Sequence, residues 1–134
     1  MKTLYKLLFV LFASLCSFSQ VSAQVFPAGF QATRITGGLN PTDLKFSPDG
    51  QYLFIADKTG KIFLVENDQL RTTPVLDLTS VIDDGGERGL THLAFDPDFA
   101  TNEYVYIYYT LAIPGNTHSP NRVSRFSFIP LPKC

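Results

Sequence analysis

Three features of the sequence predict an all-β chain, an incomplete β-propeller of about two four-stranded antiparallel blades. One strand-and-turn text occurs twice. Leu44-Lys45-Phe46-Ser47-Pro48-Asp49 returns as Leu93-Ala94-Phe95-Asp96-Pro97-Asp98, each position offset by 49. Self-similarity at such a period marks solenoids, propellers or arrays. Short apolar runs alternate with Pro, Gly, Asn and Asp turns, the pattern of strands in a meander. No segment with helical periodicity follows the first residues. A propeller closes its ring with typically about four to eight blades. Two blades leave apolar faces and strand edges open, so the chain by itself is expected to be marginal or aggregation-prone.

Taken in order, Phe30 to Thr36 is expected as a short strand with Phe30, Ala32 and Ile35 on it, broken by Gly37-Gly38. Thr42 to Ser47 alternates, with Leu44 and Phe46 on one side. Ser47-Pro48-Asp49-Gly50 is a tight turn, with Pro and Gly where turn geometry favours them. Tyr52 to Ala56 is an apolar strand, Asp57-Lys58-Thr59-Gly60 a turn, and Lys61 to Val65 a strand rich in β-favouring residues. Asn67-Asp68 turns again. Thr72 to Leu78 is expected as a fourth strand, and Pro74 puts it at an edge. Ser80 to Gly89 is a polar loop centred on Asp83-Asp84-Gly85-Gly86-Glu87-Arg88. The pattern then restarts: His92 to Phe95 as first strand, Tyr104 to Thr110 as second, Asn121 to Ile129 as third. Tyr104 to Thr110 is apolar on both faces and is expected to be buried on both. Pro130-Leu131-Pro132 ends the third strand, and a fourth is missing.

Residues 1–23 read as a secretory signal peptide. Lys2 and Lys6 precede the apolar run Leu7 to Phe18, and Val21-Ser22-Ala23 places small residues for cleavage before Gln24. The alternatives are a buried N-terminal helix, or a lipoprotein modified at Cys16, for which Ser14-Leu15-Cys16-Ser17 is a poor processing site. Cleavage leaves residues 24–134 with nine basic and twelve acidic groups, a net charge of −3. A nucleic-acid footprint needs a clustered basic face, which is absent. The twelve Phe and six Tyr supply apolar mass in the absence of Trp, and the length suits one small domain. Cys134 is the one cysteine left after cleavage, so no intrachain disulfide is expected. A lone terminal thiol in an exported protein suggests a chain that stops where a larger one would continue.

Motifs for hydrolase elbows, phosphate loops and zinc-protease helices are absent. His92 and His118 are too few for a zinc site without carboxylate help. His92 reads as a packed or edge histidine, with a catalytic base as the sharper alternative, and His118 as a solvated loop residue. Asp83-Asp84 offers oxygen ligands for calcium but lacks the spacing of a calcium hand, so a solvated turn is the plainer reading. Glu87 stands between two glycines and a strand start. If that strand end faces a central channel, Glu87 lines it, accepting hydrogen bonds from a polar ligand or pairing with Arg88. The plain alternative is a Glu87–Arg88 surface turn.

Gly86-Glu87-Arg88-Gly89-Leu90, followed by Leu93-Ala94-Phe95-Asp96-Pro97-Asp98-Phe99, resembles the Gly-Glu-Arg-Gly-Leu-Leu-Gly-Leu-Ala-Phe-His-Pro-Asp-Phe signature of the glucose/sorbosone dehydrogenase family. Asn102 to Thr110 and Asn121-Arg122-Val123-Ser124-Arg125-Phe126 resemble the family's later strands, and Gly38 to Gly50 its opening blade. The resemblance covers about Phe30 to Phe128. It implies that residues 24–134 are the N-terminal part of a six-bladed propeller. In that ring PQQ (pyrroloquinoline quinone) and a calcium ion occupy the channel, and a histidine takes the sugar's proton while hydride passes to the quinone. That histidine and most pocket residues are expected beyond Cys134. Of the family's pocket positions only Glu87 carries over, as a cofactor-binding residue; no catalytic and no metal residue does. Thr91-His92 replaces a usual Leu-Gly, Asp96 a common His, and Pro120 a usual His before Asn121.

The resulting expectation is the N-terminal part of an exported PQQ-dependent aldose sugar dehydrogenase, secreted or periplasmic, inactive and without tight cofactor binding when residues 24–134 stand alone. Its expected partner is a sugar substrate if the ring is completed, with no nucleic acid and no transmembrane segment in the mature chain. The alternative is a non-catalytic extracellular propeller that binds a glycan or protein. A lactonase-like propeller would need several converging carboxylates and an Asn, and no such set is visible.

Overall fold

The structure, a computed structural model, describes residues 26–115 and 118–129. The expected signal peptide and its cleavage site, Cys16 and Cys134 lie outside the described residues. The chain divides into two units, Met1–Thr33 and Arg34–Cys134. In the first, the described residues form a turn closed by the Phe30 N–H donating to the Pro27 carbonyl at 3.1 Å. The strand expected over Phe30–Thr36 is not formed. A strand needs a partner edge for its backbone donors and acceptors, and no edge among the described residues pairs with this segment.

The second unit contains two antiparallel sheets. The first consists of β1 (Pro41–Phe46), β2 (Leu53–Asp57), β3 (Lys61–Glu66), β4 (Gln69–Leu70) and β5 (Leu76–Asp77), in the order β1-β2-β3-β4, with β5 also on β3. The turns are set by local chemistry. Gly50 N donates to the Ser47 carbonyl at 2.8 Å, and the Ser47 hydroxyl accepts from Tyr52 N at 3.0 Å. Asp57 Oδ1 accepts from both the amide and the hydroxyl of Thr59, at 3.0 and 2.6 Å. Asn67 and Asp68 both have positive φ, 50° and 59°, the two-residue hairpin whose twist matches that of its strands.

The single fourth strand expected over Thr72–Leu78 is instead split in two. β4 and β5 pair with opposite ends of the same β3 edge, and Arg71 to Val75 arches between them. Pro74 has no N–H to give a ladder, so it sits in the arch while Arg71 N and Val75 N bond the Leu64 and Ile62 carbonyls, both at 2.8 Å.

The second sheet runs β6 (Leu90–Phe95), β7 (Tyr104–Thr110), β8 (Asn121–Ser127). Between β6 and β7 lies a short helix, α1 (Phe99–Asn102), which the sequence did not announce. Four residues are too few to display a 3.6-residue period. Its geometry comes from Asp96, whose carboxylate accepts from Asp98 N at 3.0 Å, Asn102 Nδ2 at 2.8 Å and the Tyr106 hydroxyl at 2.8 Å. Strand β7 is fully buried on one face only. Val105, Ile107 and Tyr109 are buried, whereas Tyr104, Tyr106 and Tyr108 are half-buried. The Arg125 guanidinium lies 4.1 Å from the Tyr104 ring centre, a cation–π contact.

The sheets meet face to face. Phe54, Ala56, Ile62 and Leu64 of the first pack with Leu90, Leu93, Val105, Ile107, Tyr109 and Phe128 of the second. Phe54, 2% exposed, is edge-on to Phe95 at 5.0 Å and to Phe128 at 5.1 Å. A fully buried Phe is worth about 1.5–3 kcal/mol in transfer alone, so this seam carries the core. The edge strands β1 and β6 also touch: the Thr42 hydroxyl donates to the Leu90 carbonyl at 2.8 Å, and Asp43 Oδ2 accepts from Leu93 N at 3.1 Å. Two antiparallel sheets stacked on their faces and converging at one edge strand each are two adjacent β-propeller blades. The all-β propeller expectation therefore holds.

Candidate functional site

At one end of the blades β2 leaves, β3 and β6 begin, β7 leaves and β8 begins, so the loops Lys58–Gly60, Thr79–Gly89 and Leu111–Pro120 share that end. The start of β6 is locked there. Gly89 has φ +138°, and a Cβ on it would lie 2.5 Å from the Lys58 carbonyl oxygen. With only hydrogen at this position, Leu90 N reaches that same carbonyl at 3.1 Å, and the Gly89 carbonyl accepts from Thr110 N at 3.0 Å. The glycine before the repeated strand is thus required by the neighbouring blade's turn, a close approach only Gly permits.

The loop ahead of Gly89 is organised by Asp83. Its Oδ1 accepts from Gly85 N at 3.1 Å. Its Oδ2 takes the Arg88 guanidinium, Nε at 2.8 Å, and a short hydrogen bond from the Ser119 hydroxyl of the facing loop. These donors, Ser119 first, then Gly85 N and Arg88, lower its pKa from 3.8 to about 2, because each bond favours the ionised carboxylate. The two loops are tied further by Asp83 N to the Thr110 carbonyl at 3.1 Å, Ala112 N to the Val81 carbonyl at 2.8 Å, and the Ile82–Leu111 bridge. From the other side, the Lys58 ammonium donates to the Gly86 carbonyl.

Glu87 is exposed in the turn directly before β6. Its carboxylate has no hydrogen-bond or ion-pair partner among the described residues. The anticipated pairing with Arg88 is not formed, because that guanidinium is taken by Asp83. Asp83 is correspondingly not the solvated turn residue the sequence suggested, while Asp84 is exposed. His92, two residues past the start of β6, is exposed, with its ring 6.2 Å from Tyr108. His118 is exposed in the loop before β8. No group of three or more His, Cys, Asp or Glu side chains among the described residues is placed to hold a metal.

Sequence reasoning weighed Asp83 as a calcium ligand or a solvated turn, not as the anchor of the loop, and it missed Ser119 and Lys58. Asp83-x-Gly85 is an Asx-turn signal that would have pointed to the anchor. Nothing local pairs Ser119 with a residue 36 positions away.

The chemistry available here is that of a hydrogen-bond acceptor held on an ordered turn. The acceptor is the unpaired Glu87 carboxylate, flanked by cations already satisfied by protein oxygens. Among the described residues no helix is long and apolar enough to cross a membrane.

Comparison with known proteins sets this loop in context. The chain is 32% identical over 105 residues to the quinoprotein glucose dehydrogenase B of Acinetobacter calcoaceticus, covering 74% of this chain and 22% of that protein. Its fold matches a crystal structure described as an oxidoreductase (glucose dehydrogenase) of Thermus thermophilus, at TM-score 0.62 and 34% identity over 73% of this chain and 27% of that one. It also matches the PQQ-bound aldose sugar dehydrogenase of Streptomyces coelicolor, at TM-score 0.55 and 32% identity over 67% and 25% of the respective chains. The chain therefore spans about a quarter of the length of these relatives. The Glucose / Sorbosone dehydrogenase profile matches residues 39–129, which take in both blades, the Asp83–Gly89 loop and the β6 text: the chain belongs to the glucose/sorbosone dehydrogenase family.

Proposed function

We propose that residues 24–134 are the first two blades of an exported PQQ-dependent aldose dehydrogenase, directed outward by a signal peptide at residues 1–23, and that Glu87 contacts the cofactor. The observation that carries this reading is the unpaired Glu87 carboxylate at the entrance of strand β6, inside the span that the family profile matches. PQQ has a pyrrole N–H, and Glu87 is an acceptor free to receive it. The residues present thus fit one edge of the group. Bound PQQ supplies a two-electron acceptor for a sugar's hydride. Lys58 and Arg88 keep their charges on the Gly86 carbonyl and on Asp83, so neither competes for Glu87.

The described residues do not fit calcium: they offer no three-ligand cluster, and Asp83 is occupied by Arg88 and Ser119. Calcium is assigned none of the described residues. A general base has to stand within hydrogen-bond reach of the proton it takes. The family resemblance puts that base beyond Cys134, so residues 24–134 alone are expected to reduce no dye with PQQ, calcium and glucose present. Turnover above a quinone-free blank would refute this. The product of the complete reading frame is expected to bind PQQ, and Glu87→Ala to weaken that binding about tenfold, the size of one hydrogen bond to a charged group. Unchanged affinity in that variant would remove Glu87 from the site.

A further inference from the structure

The geometry points to Ser119 as a positioning residue for the Glu87 turn, acting through Asp83 and Arg88; this rests on the assignment of Glu87 to the cofactor. Arg88 is the adjacent residue to Glu87 and the nearest cation in sequence. Left to itself, its guanidinium would neutralise whichever carboxylate it met first: Glu87, Asp84 or Asp83. The structure selects Asp83 by two devices. Gly85 clears the path, because a Cβ there would lie 2.8 Å from Arg88 Nη2 and 3.2 Å from Asp83 Oδ1. Ser119 holds the receiving carboxylate, its hydroxyl sharing Asp83 Oδ2 with the Arg88 Nε.

A carboxylate that accepts from a backbone amide, a guanidinium and a hydroxyl is fixed in rotamer as well as charge. Asp83 is held in this way by Gly85 N, Arg88 and Ser119. The Arg88 amide then closes the turn on the Gly85 carbonyl at 3.1 Å, and Lys58 fixes the Gly86 carbonyl from the neighbouring blade. The turn is clamped on both sides. Of the side chains at 83, 87 and 88, Glu87 is the one left without a partner among the described residues. Ser119 reaches across from the loop before β8. The Ser119 hydroxyl is therefore the side-chain link from that loop to the Glu87 turn, beside the backbone bonds at Val81, Asp83 and Ala112.

The test uses the product of the complete reading frame, with two readouts. In amide hydrogen exchange, Ser119→Ala is expected to speed exchange over residues 84–89 about threefold, as loss of one partly exposed hydrogen bond predicts. Ser119→Thr, which keeps the hydroxyl, is expected to restore the wild-type rate. In a PQQ titration, Ser119→Ala is expected to weaken binding by a smaller factor than Glu87→Ala, and the double variant to bind no more weakly than Glu87→Ala alone. Unchanged exchange in Ser119→Ala overturns the tie. Additive losses of affinity overturn the positioning role, since Ser119 would then act independently of Glu87. If Glu87→Ala binds PQQ as the wild type does, the cofactor assignment of Glu87 falls, and the exchange result judges the tie by itself.

Discussion

The two blades share a strand-and-turn text, and its side chains meet opposite fates. Leu93 in β6 is 3% exposed, while Leu44, its counterpart in β1, is 57% exposed; Phe95 packs edge-on against Phe54, while Phe46 is 66% exposed. The backbone pairing is equivalent: Leu44 faces Ile55 across the first sheet and Leu93 faces Ile107 across the second. The difference lies in the neighbour. The face of blade 2 that carries Leu93 and Phe95 rests on Phe54, Ala56, Ile62 and Leu64 of blade 1. The corresponding face of blade 1 is covered in its centre, where Ile55, Phe63 and Val65 pack with Leu39, Leu53 and Leu70, but open over β1. In a repeat architecture each unit contributes half an interface and borrows the other half. Local text sets the strand, and the adjacent unit sets what the strand buries.

The largest effect that would break this comparison comes from the paired truncations Leu93→Ala and Leu44→Ala. Removing a buried Leu side chain costs about 2–5 kcal/mol, whereas an exposed substitution stays within roughly 0.5 kcal/mol. Urea unfolding followed by circular dichroism is expected to show the large loss for Leu93→Ala alone. Equal losses would mean that β1 is covered as β6 is, and that the asymmetry between the blades is not real in solution.

This asymmetry marks what could be read in advance. Strands β1, β2, β3, β6, β7 and β8 were legible because alternation and turn residues are properties of a few consecutive positions: Gly50 and Asn67-Asp68 announce their hairpins by type. Pro74 announced an edge and in the structure divides it, because the loss of one donor can be met by arching as well as by ending. Phe30 to Thr36 has the alternation of a strand without an edge to pair with. The motif around Glu87 was visible, but not its chemistry, which depends on Ser119 meeting Asp83 from the other loop. Contacts between residues far apart in sequence leave no trace in a short window of the chain.

A second, smaller effect sharpens the comparison at the strand entrances. Asn40 and Gly89 stand at equivalent places, each carbonyl accepting from the residue that follows the second strand or ends it, Lys58 N at 2.9 Å and Thr110 N at 3.0 Å. Gly89 alone has positive φ and the Lys58 carbonyl against its Cα. Gly89→Ala is therefore expected to cost roughly 2–3 kcal/mol from backbone strain and displacement of the blade 1 turn. Asn40→Gly should cost under about 1 kcal/mol. The same unfolding experiment checks both. A tolerated Gly89→Ala would show that the blades do not approach closely at this turn.

The smallest effect concerns charge where the blades meet. Asp57 closes the blade 1 turn and Asp83 ties the loop into blade 2; both have lowered pKa values, for different reasons. Burial pushes Asp57 up, and hydrogen bonds from Thr59 and the Asn40 amide more than reverse it. Asp83 is lowered to about 2 by Ser119, the Gly85 amide and Arg88. A depressed folded-state pKa gives stabilisation that is complete above the unfolded value of 3.8 and is lost as pH falls through the folded value. Acidification from neutrality to about pH 4 is thus expected to leave the Asp83–Arg88–Ser119 tie intact, with loss setting in between 3.8 and about 2. Carboxyl-carbon NMR titration of Asp83 measures this directly. In Ser119→Ala the midpoint is expected to move back toward 3.8, because the largest cause of the shift is removed. A wild-type midpoint already at 3.8 would mean that the carboxylate is solvated, with Arg88 free to neutralise Glu87 instead, and the two loops would then be joined by backbone bonds alone.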